Sequence, residues 1–291
     1  MRKLLLLFIS ISFLVACDNE PLDRDVLNDN TNDNNGPVNT SDDPLALDLY
    51  ILDISSTIPI FGTTIINSEF SFNSNNRVNN TLVATTFFGQ SFSENVLYMR
   101  DNLNRIIGYT SSNSGVVTNE TTIAYSGDKI SQIVYNFIED DSEDYTYNFS
   151  YFGNIITRTE VGSSIYTEFT LDGNDRLIRK ESFDNTTSIK TEVLDYDGLG
   201  NCITSIITGE DASSSTFVFD ANNSPLIEAF SDQYLLIFLN DDYSDNVGGS
   251  LAQFASPNNW IGIVTPESTV NFTVEYDTDN RITSRSGNYD S

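Results

Sequence analysis

The stretch YDGLGNCITS at residues 196–205 sets an aspartate, two glycines and an asparagine beside Cys202, a grouping that suits either a reactive thiol or a metal-binding loop. A cysteine reacts as its thiolate, which needs a neighbouring cation or a helix N-terminus to form at neutral pH. No Lys or His stands next to Cys202, so the thiol reads as a small buried apolar group. The chain contains no histidine at all, which removes Ser-His-Asp and Cys-His catalysis and every His-containing zinc site. No glycine-rich phosphate loop followed by Lys and Ser or Thr occurs either, so nucleotide binding has no support.

Carboxylates are what remains. Calcium takes six to eight oxygens, and Glu139, Asp140, Asp141, Glu143 and Asp144, or Asp241, Asp242 and Asp245, supply acids in clusters. Neither cluster has the spacing of an EF-hand loop, and solvated acidic loops are the plainer reading. The expectation is therefore no cofactor, with Asp140, Asp141, Glu143 and Asp144 as the residues that would hold calcium. A glycosidase needs only two carboxylates and survives the absence of histidine. The sequence cannot choose a pair among 42 acids, and the single tryptophan, Trp260, reads as a core anchor for its Asn-rich loop rather than as a sugar platform.

The 14 Lys and Arg against 42 Asp and Glu give a formal charge of −28, which repels a nucleic-acid backbone and anionic lipid alike. Membrane attachment must then come from elsewhere, and the N-terminus supplies it. MRKLLLLFISISFLVAC places Arg2 and Lys3 before an apolar run from Leu4 to Val15, with Ala16 ahead of Cys17. The tetrad Leu14-Val15-Ala16-Cys17 resembles a bacterial lipobox. That resemblance implies a signal peptide over 1–16 and a Cys17 that is lipidated and becomes the mature N-terminus. The acids Asp18, Glu20, Asp23 and Asp25 resemble the surface-export signal of Bacteroidota lipoproteins, which implies the outer-membrane surface. A lipidated Cys17 cannot pair with Cys202, so no disulfide is expected and packing alone must hold the fold.

Residues 17–44 carry NDNTNDNNGPVNTSDDP and few large apolar side chains, too few to offset the entropy of ordering, and read as a flexible tether. From Leu45 the pattern turns to period-two alternation, as in EDYTYNFSYFGN, where Tyr145, Tyr147, Phe149 and Tyr151 share one face. The turns between such runs recur. FNSNNRV at Phe72, RDNLNRI at Arg100, YSGDKI at Tyr125, YFGNII at Tyr151, LDGNDRL at Leu171, YDGLGNC at Tyr196, FDANNSP at Phe219 and YDTDNRI at Tyr276 align as eight copies. All but the last interval are about 20 to 28 residues, the length of one strand, a tight turn, a return strand and a connector.

These copies resemble the YD-type, or RHS-like, repeat: Tyr-Asp, two or three variable positions, a Gly or Asn, a basic residue, then Leu or Ile. YDTDNRI fits best, and YDGLGNC departs at Asn201 and Cys202. The long last interval breaks the alternation. Its Asp-Asp-Tyr and Ser256-Pro257-Asn258-Asn259 resemble an insertion in Bacteroidota lipoproteins of unknown function that also carry such repeats. Gly248 and Gly249 before LAQFAS predict a short helix, stopped by Pro257.

The 45–291 region is accordingly predicted to be one all-β domain, a meander of tandem hairpins curling into an open barrel or shell, with a two-sheet sandwich as the alternative. A short helical or loop insertion near 240–260, within 232–268, is expected as a lid or edge cover. Tyr243, Asn258, Asn259 and Trp260 in that interval are the candidate binding residues. The expected role is that of a monomeric, lipid-anchored envelope protein, a non-catalytic structural or binding module for a polysaccharide or protein. A carbohydrate-active enzyme is the alternative.

Overall fold

The computed structural model describes residues 47, 49–58, 62–87, 89–276, 278 and 282–286, with the backbone alone at 53–58, 62, 283 and 286. The signal peptide, Cys17 and the tether lie outside the described residues. The chain opens with β1 (Leu49–Ile58), β2 (Gly62–Phe72), β3 (Val78–Phe87), β4 (Gln90–Arg100), β5 (Ile106–Asn113), β6 (Val116–Ser126) and β7 (Lys129–Phe137). Next come β8 (Tyr145–Phe152), β9 (Ile155–Glu160), β10 (Ile165–Leu171), β11 (Leu177–Asp184), β12 (Thr187–Tyr196), β13 (Cys202–Gly209) and β14 (Ser213–Asn223). The chain then leaves the sheet for α1 (Leu226–Ala229), α2 (Tyr234–Leu239) and α3 (Gly248–Phe254). It returns as β15 (Asn258–Val264), β16 (Thr269–Asn271), β17 (Thr273–Tyr276) and β18 (Ile282–Ser286).

Strands β1 to β16 form a single antiparallel meander in sequence order, and β17 pairs only with β18. The sheet is open, since β1 and β16 each have one neighbour. The fold is thus the expected all-β hairpin meander. Sixteen of the described strands form one sheet and the β17–β18 pair stands beside it, which is not the two-sheet sandwich held as the alternative.

The repeated turns explain the register. In the copies at Phe72, Arg100, Leu171 and Tyr196 the second residue is Asn73, Asp101, Asp172 or Asp197, whose side-chain oxygen accepts the backbone N–H groups two and four residues on. The fifth residue, Asn76, Asn104, Asp175 or Gly200, takes positive φ, which Gly, Asn and Asp tolerate best. Each turn carries a one-residue register shift beside it, as a β-bulge requires. The bulge swings the residue after the turn inward, so Val78, Ile106, Ile130, Leu177 and Cys202 are all at most 2% exposed, and Ile156 reaches the same inward position in a turn without a bulge.

Successive copies are also stapled to each other. The hydroxyls of Tyr125, Tyr151 and Tyr196 donate at 2.8 Å to the carbonyls of Ile106, Ile130 and Leu177, each the inward residue of the preceding copy. The basic residue of that preceding copy lies over the same ring: Arg105 over Tyr125 at 4.3 Å, Lys129 over Tyr151 at 4.7 Å and Arg176 over Tyr196 at 4.6 Å. A tyrosine before one turn and a cation after the previous one are therefore two halves of one contact.

The short helical insertion expected near 240–260 is present, with α3 inside that interval, and it is longer than expected: its helical part begins at Leu226, and residues 258–264 are strand β15, paired with β14. It is not a lid or edge cover. Phe230 packs on Tyr50 of β1 and on Phe70 and Phe72 of β2, while Asp232 pairs with Arg100 of β4 at 2.6 Å. Asn240 meets Tyr109 of β5 and Tyr145 of β8, and Phe238 meets Phe169 of β10. One segment touching strands from β1 to β13 means that the sheet curls around it. The reason is composition: YLLIFL of α2 is apolar all round, and Phe238, Leu239, Val247, Leu251 and Ala252 are fully buried with the inward faces of the strands. Each large apolar side chain so placed stabilises by about 1.5–3 kcal/mol, which an edge position would forfeit.

Two outcomes follow from the turns. Tyr196→Phe should cost about 1 kcal/mol, read as a lower midpoint in urea with an unchanged slope, because Leu177 loses a donor. The turn carboxylates give a pH dependence. Asp101 is held below its ordinary value by the backbone N–H of Arg105 first; in Asp172 and Asp197 burial pulls upward but is outweighed by hydrogen bonds from Arg176 and from Asn201. A folded value below the unfolded one, about 3.9, gives stability that is present above that pH and is lost as pH falls through the folded values. Thermal melts should be flat near neutrality and drop below about pH 4, less steeply in Asp172→Asn; a slope unchanged by that substitution would remove Asp172 from the explanation.

Candidate functional site

The inward face of β9 to β13 carries a set of charged side chains that resembles an active site in composition. Arg158, Lys180, Lys190 and Glu192 are all buried, with the hydroxyls of Thr167, Ser182 and Ser205 among them. Above them runs the chain from Leu239 to Gly248, which joins α2 to α3.

Each charge is committed to that segment. Arg158 donates to the carbonyls of Leu239 and Asp241 and to the hydroxyl of Thr167, and its guanidinium lies 4.4 Å from the Tyr147 ring centre. Lys180 donates at 2.8 Å to the carbonyls of Asp242 and Asp245, and Lys190 to that of Ser244. Ser182 donates to the carbonyl of Tyr243 at 3.1 Å. Glu192 accepts the N–H groups of Val247 and Gly248, both at 2.9 Å, and the hydroxyl of Ser205 at 2.7 Å. Cations thus receive the carbonyls of the loop and an anion receives the N–H groups where α3 begins, each a charge-assisted bond in an environment that strengthens it.

Asp241 stands 3.7 Å from Lys180. Burial pushes its carboxyl well above the usual carboxylate range, against the pull of Lys180, while burial pushes the Lys180 ammonium below its usual value. Such a carboxyl is what a general acid would need. Its partner for glycoside chemistry would be a second free carboxylate, and Glu192, the buried acid of this face, has both oxygens occupied by the chain's own N–H and O–H groups. The cluster is built to seat a loop.

The segment Ser256-Pro257-Asn258-Asn259 closes the insertion. Ser224 N–H donates to the Pro257 carbonyl at 2.7 Å, shutting the base of the loop that leaves β14 and returns as β15. Asn201 donates to the Asn258 side chain and accepts the Asn258 N–H, both at 2.9 Å, and Cys202 N–H donates to Ser256 Oγ. This is why the sixth turn departs from the repeat: Asn201 is 1% exposed against Asn258, and an Arg has no room there. Asp220 of the seventh copy accepts from Asn222, Asn259 and the Tyr276 hydroxyl. The copy keeps its aspartate, but Pro225 sits where the return strand would start and the chain departs into α1.

The candidate binding residues are thereby placed. Asn258, Asn259 and Trp260 are buried, and Tyr243 is partly exposed with its carbonyl on Ser182. Trp260 lies edge-on between Phe217 and Phe272 and donates to the Gly262 carbonyl. Asn259 and Trp260 also line a cavity between β1, α1 and β18, whereas Asn258 and Tyr243 do not. Sequence reasoning missed the partners from other strands, Arg158, Lys180, Lys190, Glu192 and Arg285; the usable signal was a long or charged side chain on the apolar face of an alternating strand.

Cys202 is fully buried, and burial pushes its thiol well above the ordinary value, as a structural cysteine requires. The acidic run after β7 forms a 3-10 turn in which Asp140 accepts from Ser142 and Asp144 accepts the N–H of Phe137. Among the described residues no three or more His, Cys, Asp or Glu gather in an arrangement that could hold a metal. Among them, too, no helix is long and apolar enough to cross a membrane.

No protein-family model matches the chain, and no curated protein matches it. Among solved structures the chain is similar to a porin-like protein from Bacteroides uniformis, with a TM-score of 0.44 and 12% identity, covering 84% of this chain and 91% of that one.

The seating of the loop is testable. Glu192→Ala strands two buried N–H groups and should cost about 3 kcal/mol. Gly248→Ala should also destabilise, by about 1–3 kcal/mol, because a Cβ there would lie 2.5 Å from Ser205 Cβ. Both variants should open a protease site between residues 239 and 248 while the strand signal in circular dichroism persists; resistance equal to the parent protein would show that the loop is held by other contacts.

Proposed function

We propose that the chain is a lipid-anchored protein of the bacterial cell envelope, displayed on the outer-membrane surface, and that it acts as a non-catalytic structural or binding module toward a polysaccharide or protein. The observation that carries the non-catalytic part is the filled interior: the space that a curved sheet would offer a substrate is occupied by α1 to α3, and the inward charges serve their loop. The lipobox at Leu14–Cys17, the acidic residues that follow it and the Asn-rich tether support the anchored, surface-facing part. A tether of roughly 27 residues would hold the domain on the order of 30 Å from the bilayer, far enough for a partner to reach it. The eight turn copies and the Ser256–Asn259 segment support kinship with Bacteroidota lipoproteins bearing YD-type repeats.

The face offered to a partner is then the outer one, where exposed apolar side chains such as Leu82, Leu97, Met99, Val193 and Ile206 stand among Thr, Ser, Asn and acids. A broad sheet face of mixed character suits an extended polymer better than a small substrate.

Two measurements test the two parts separately. Cys17→Ser should move the protein from the membrane fraction to the soluble one; a variant that stays membrane-bound overturns lipidation as the anchor. The domain from residue 45, applied to a glycan panel and to envelope proteins, should retain a partner and release no product. Hydrolysis that disappears on substitution of one carboxylate would replace this reading with a carbohydrate-active enzyme.

A further inference from the structure

At the seam where the first strand approaches the last, Leu49 and Ile51 of β1, Leu226 of α1, Trp260 of β15 and Ile282 of β18 wall a cavity that Arg285 also lines. Its volume is about 70 Å³. At about 10–15 Å³ per water, it holds roughly five to seven waters, or a compact organic molecule of similar atom count. Two of its polar side chains are already engaged: Gln253 donates to the Tyr50 hydroxyl at 2.8 Å, and Asn259 donates to Asp220 at 3.1 Å.

Arg285 differs from every other buried cation. It is 9% exposed, and its guanidinium lies 5.0 Å from the Trp260 ring centre and 5.1 Å from that of Phe272. Of its five N–H donors it uses one, from Nη1 to the Trp260 carbonyl at 3.2 Å. Among the described residues no acid forms an ion pair with it, although the chain carries 42. The contrast with Arg100, bound to Asp232 at 2.6 Å, and with Arg158, which holds two carbonyls and a hydroxyl, is sharp. The unused donors of Arg285 open onto the cavity rather than being sealed from it, and an anion arriving there can take them in charge-assisted bonds.

We propose that this cavity binds a small organic anion, a carboxylate on a compact apolar body, with the carboxylate on Arg285 and the body against Trp260, Leu226 and Ile282. The walls exclude a purely polar anion, since they would leave its body without partners, and the guanidinium discriminates against a neutral or cationic analogue. The site is separate from the outer surface assigned to a polymer partner and does not depend on that assignment.

Titration calorimetry on the purified full chain with butyrate, 1-butanol and butylamine tests it. Butyrate should saturate a single site, butanol should bind at least about tenfold more weakly and butylamine should not bind. Arg285→Gln should weaken butyrate by about ten- to a hundredfold, and Arg285→Lys should retain part of the affinity. No saturable butyrate binding, equal binding of butanol, or undiminished binding by a folded Arg285→Gln overturns the proposal. Should that variant fail to fold, the comparison of butyrate with butanol on the unaltered chain still decides.

Discussion

An open sheet of sixteen strands has an apolar face that no second sheet covers, and everything specific in this fold follows from how that face is hidden. Closure into a barrel would hide it by bringing β1 onto β16, which does not happen. Instead the chain sends a segment out of the β14–β15 hairpin and lays it along the inner surface. Short helices suit that task because they can be apolar on every side, as α2 is, although their end N–H and C=O groups still need partners. What they cannot satisfy themselves is the irregular chain between them. That chain is buried, so each of its polar backbone groups needs a partner. The buried Arg158, Lys180, Lys190 and Glu192 are those partners, and their placement on β9, β11 and β12 fixes where the insertion sits.

The same segment explains where the repeat changes. A tyrosine staple needs two things in succession, a cation after one turn and a tyrosine before the next. The pairs Arg105 and Tyr125, Lys129 and Tyr151, and Arg176 and Tyr196 have both. Where Ile155 replaces the cation, the next copy begins with Leu171; where Asn201 replaces it, the next begins with Phe219. The halves are lost together because neither does its work alone: a buried phenol wants an acceptor, and a guanidinium without the ring returns to solvent. Arg77 keeps its cation without a following tyrosine, and it reaches Glu228 of α1 instead. Tyr276 follows a copy with no cation, and its hydroxyl goes to Asp220. Each exception is a contact with the insertion or its flanks.

This pattern marks what was legible in the chain. Strand alternation is local, so Tyr147, Phe149 and Phe169 could be assigned to the inner face from sequence alone, and the structure places them there. Turn chemistry is local as well: Asp or Asn followed three residues later by a residue tolerant of positive φ announces the turns at Asn73, Asp101, Asp172 and Asp197. The helix at Gly248 was also readable. Not readable was the path of the insertion, because that depends on which strands curve toward it. Pro225 offered one clue, standing where a repeat would place Leu or Ile. The role of Asn258 was hidden for a similar reason, since its partner Asn201 is 57 residues away in sequence and looks like a defect of the repeat until the two are seen together.

The distribution of cations is the remaining regularity. A chain with 14 Lys and Arg and a charge of −28 would be expected to spend its cations on the surface, where repulsion among acids is greatest. Among the described residues four of them are buried instead. Three hold backbone carbonyls of the insertion, and a carbonyl is a weaker partner than a carboxylate but does not itself need to be desolvated as a charge. Glu192 is the acid buried among them, and it too meets neutral groups of the chain, two backbone N–H groups and a hydroxyl. Arg285 follows the rule in position but not in partnership, since it has one carbonyl where Arg158 has two and a hydroxyl. In a fold that otherwise matches every buried charge to a partner, the unfilled donors at the seam are the place where the chain's own groups stop short, and an acceptor from outside is what completes them.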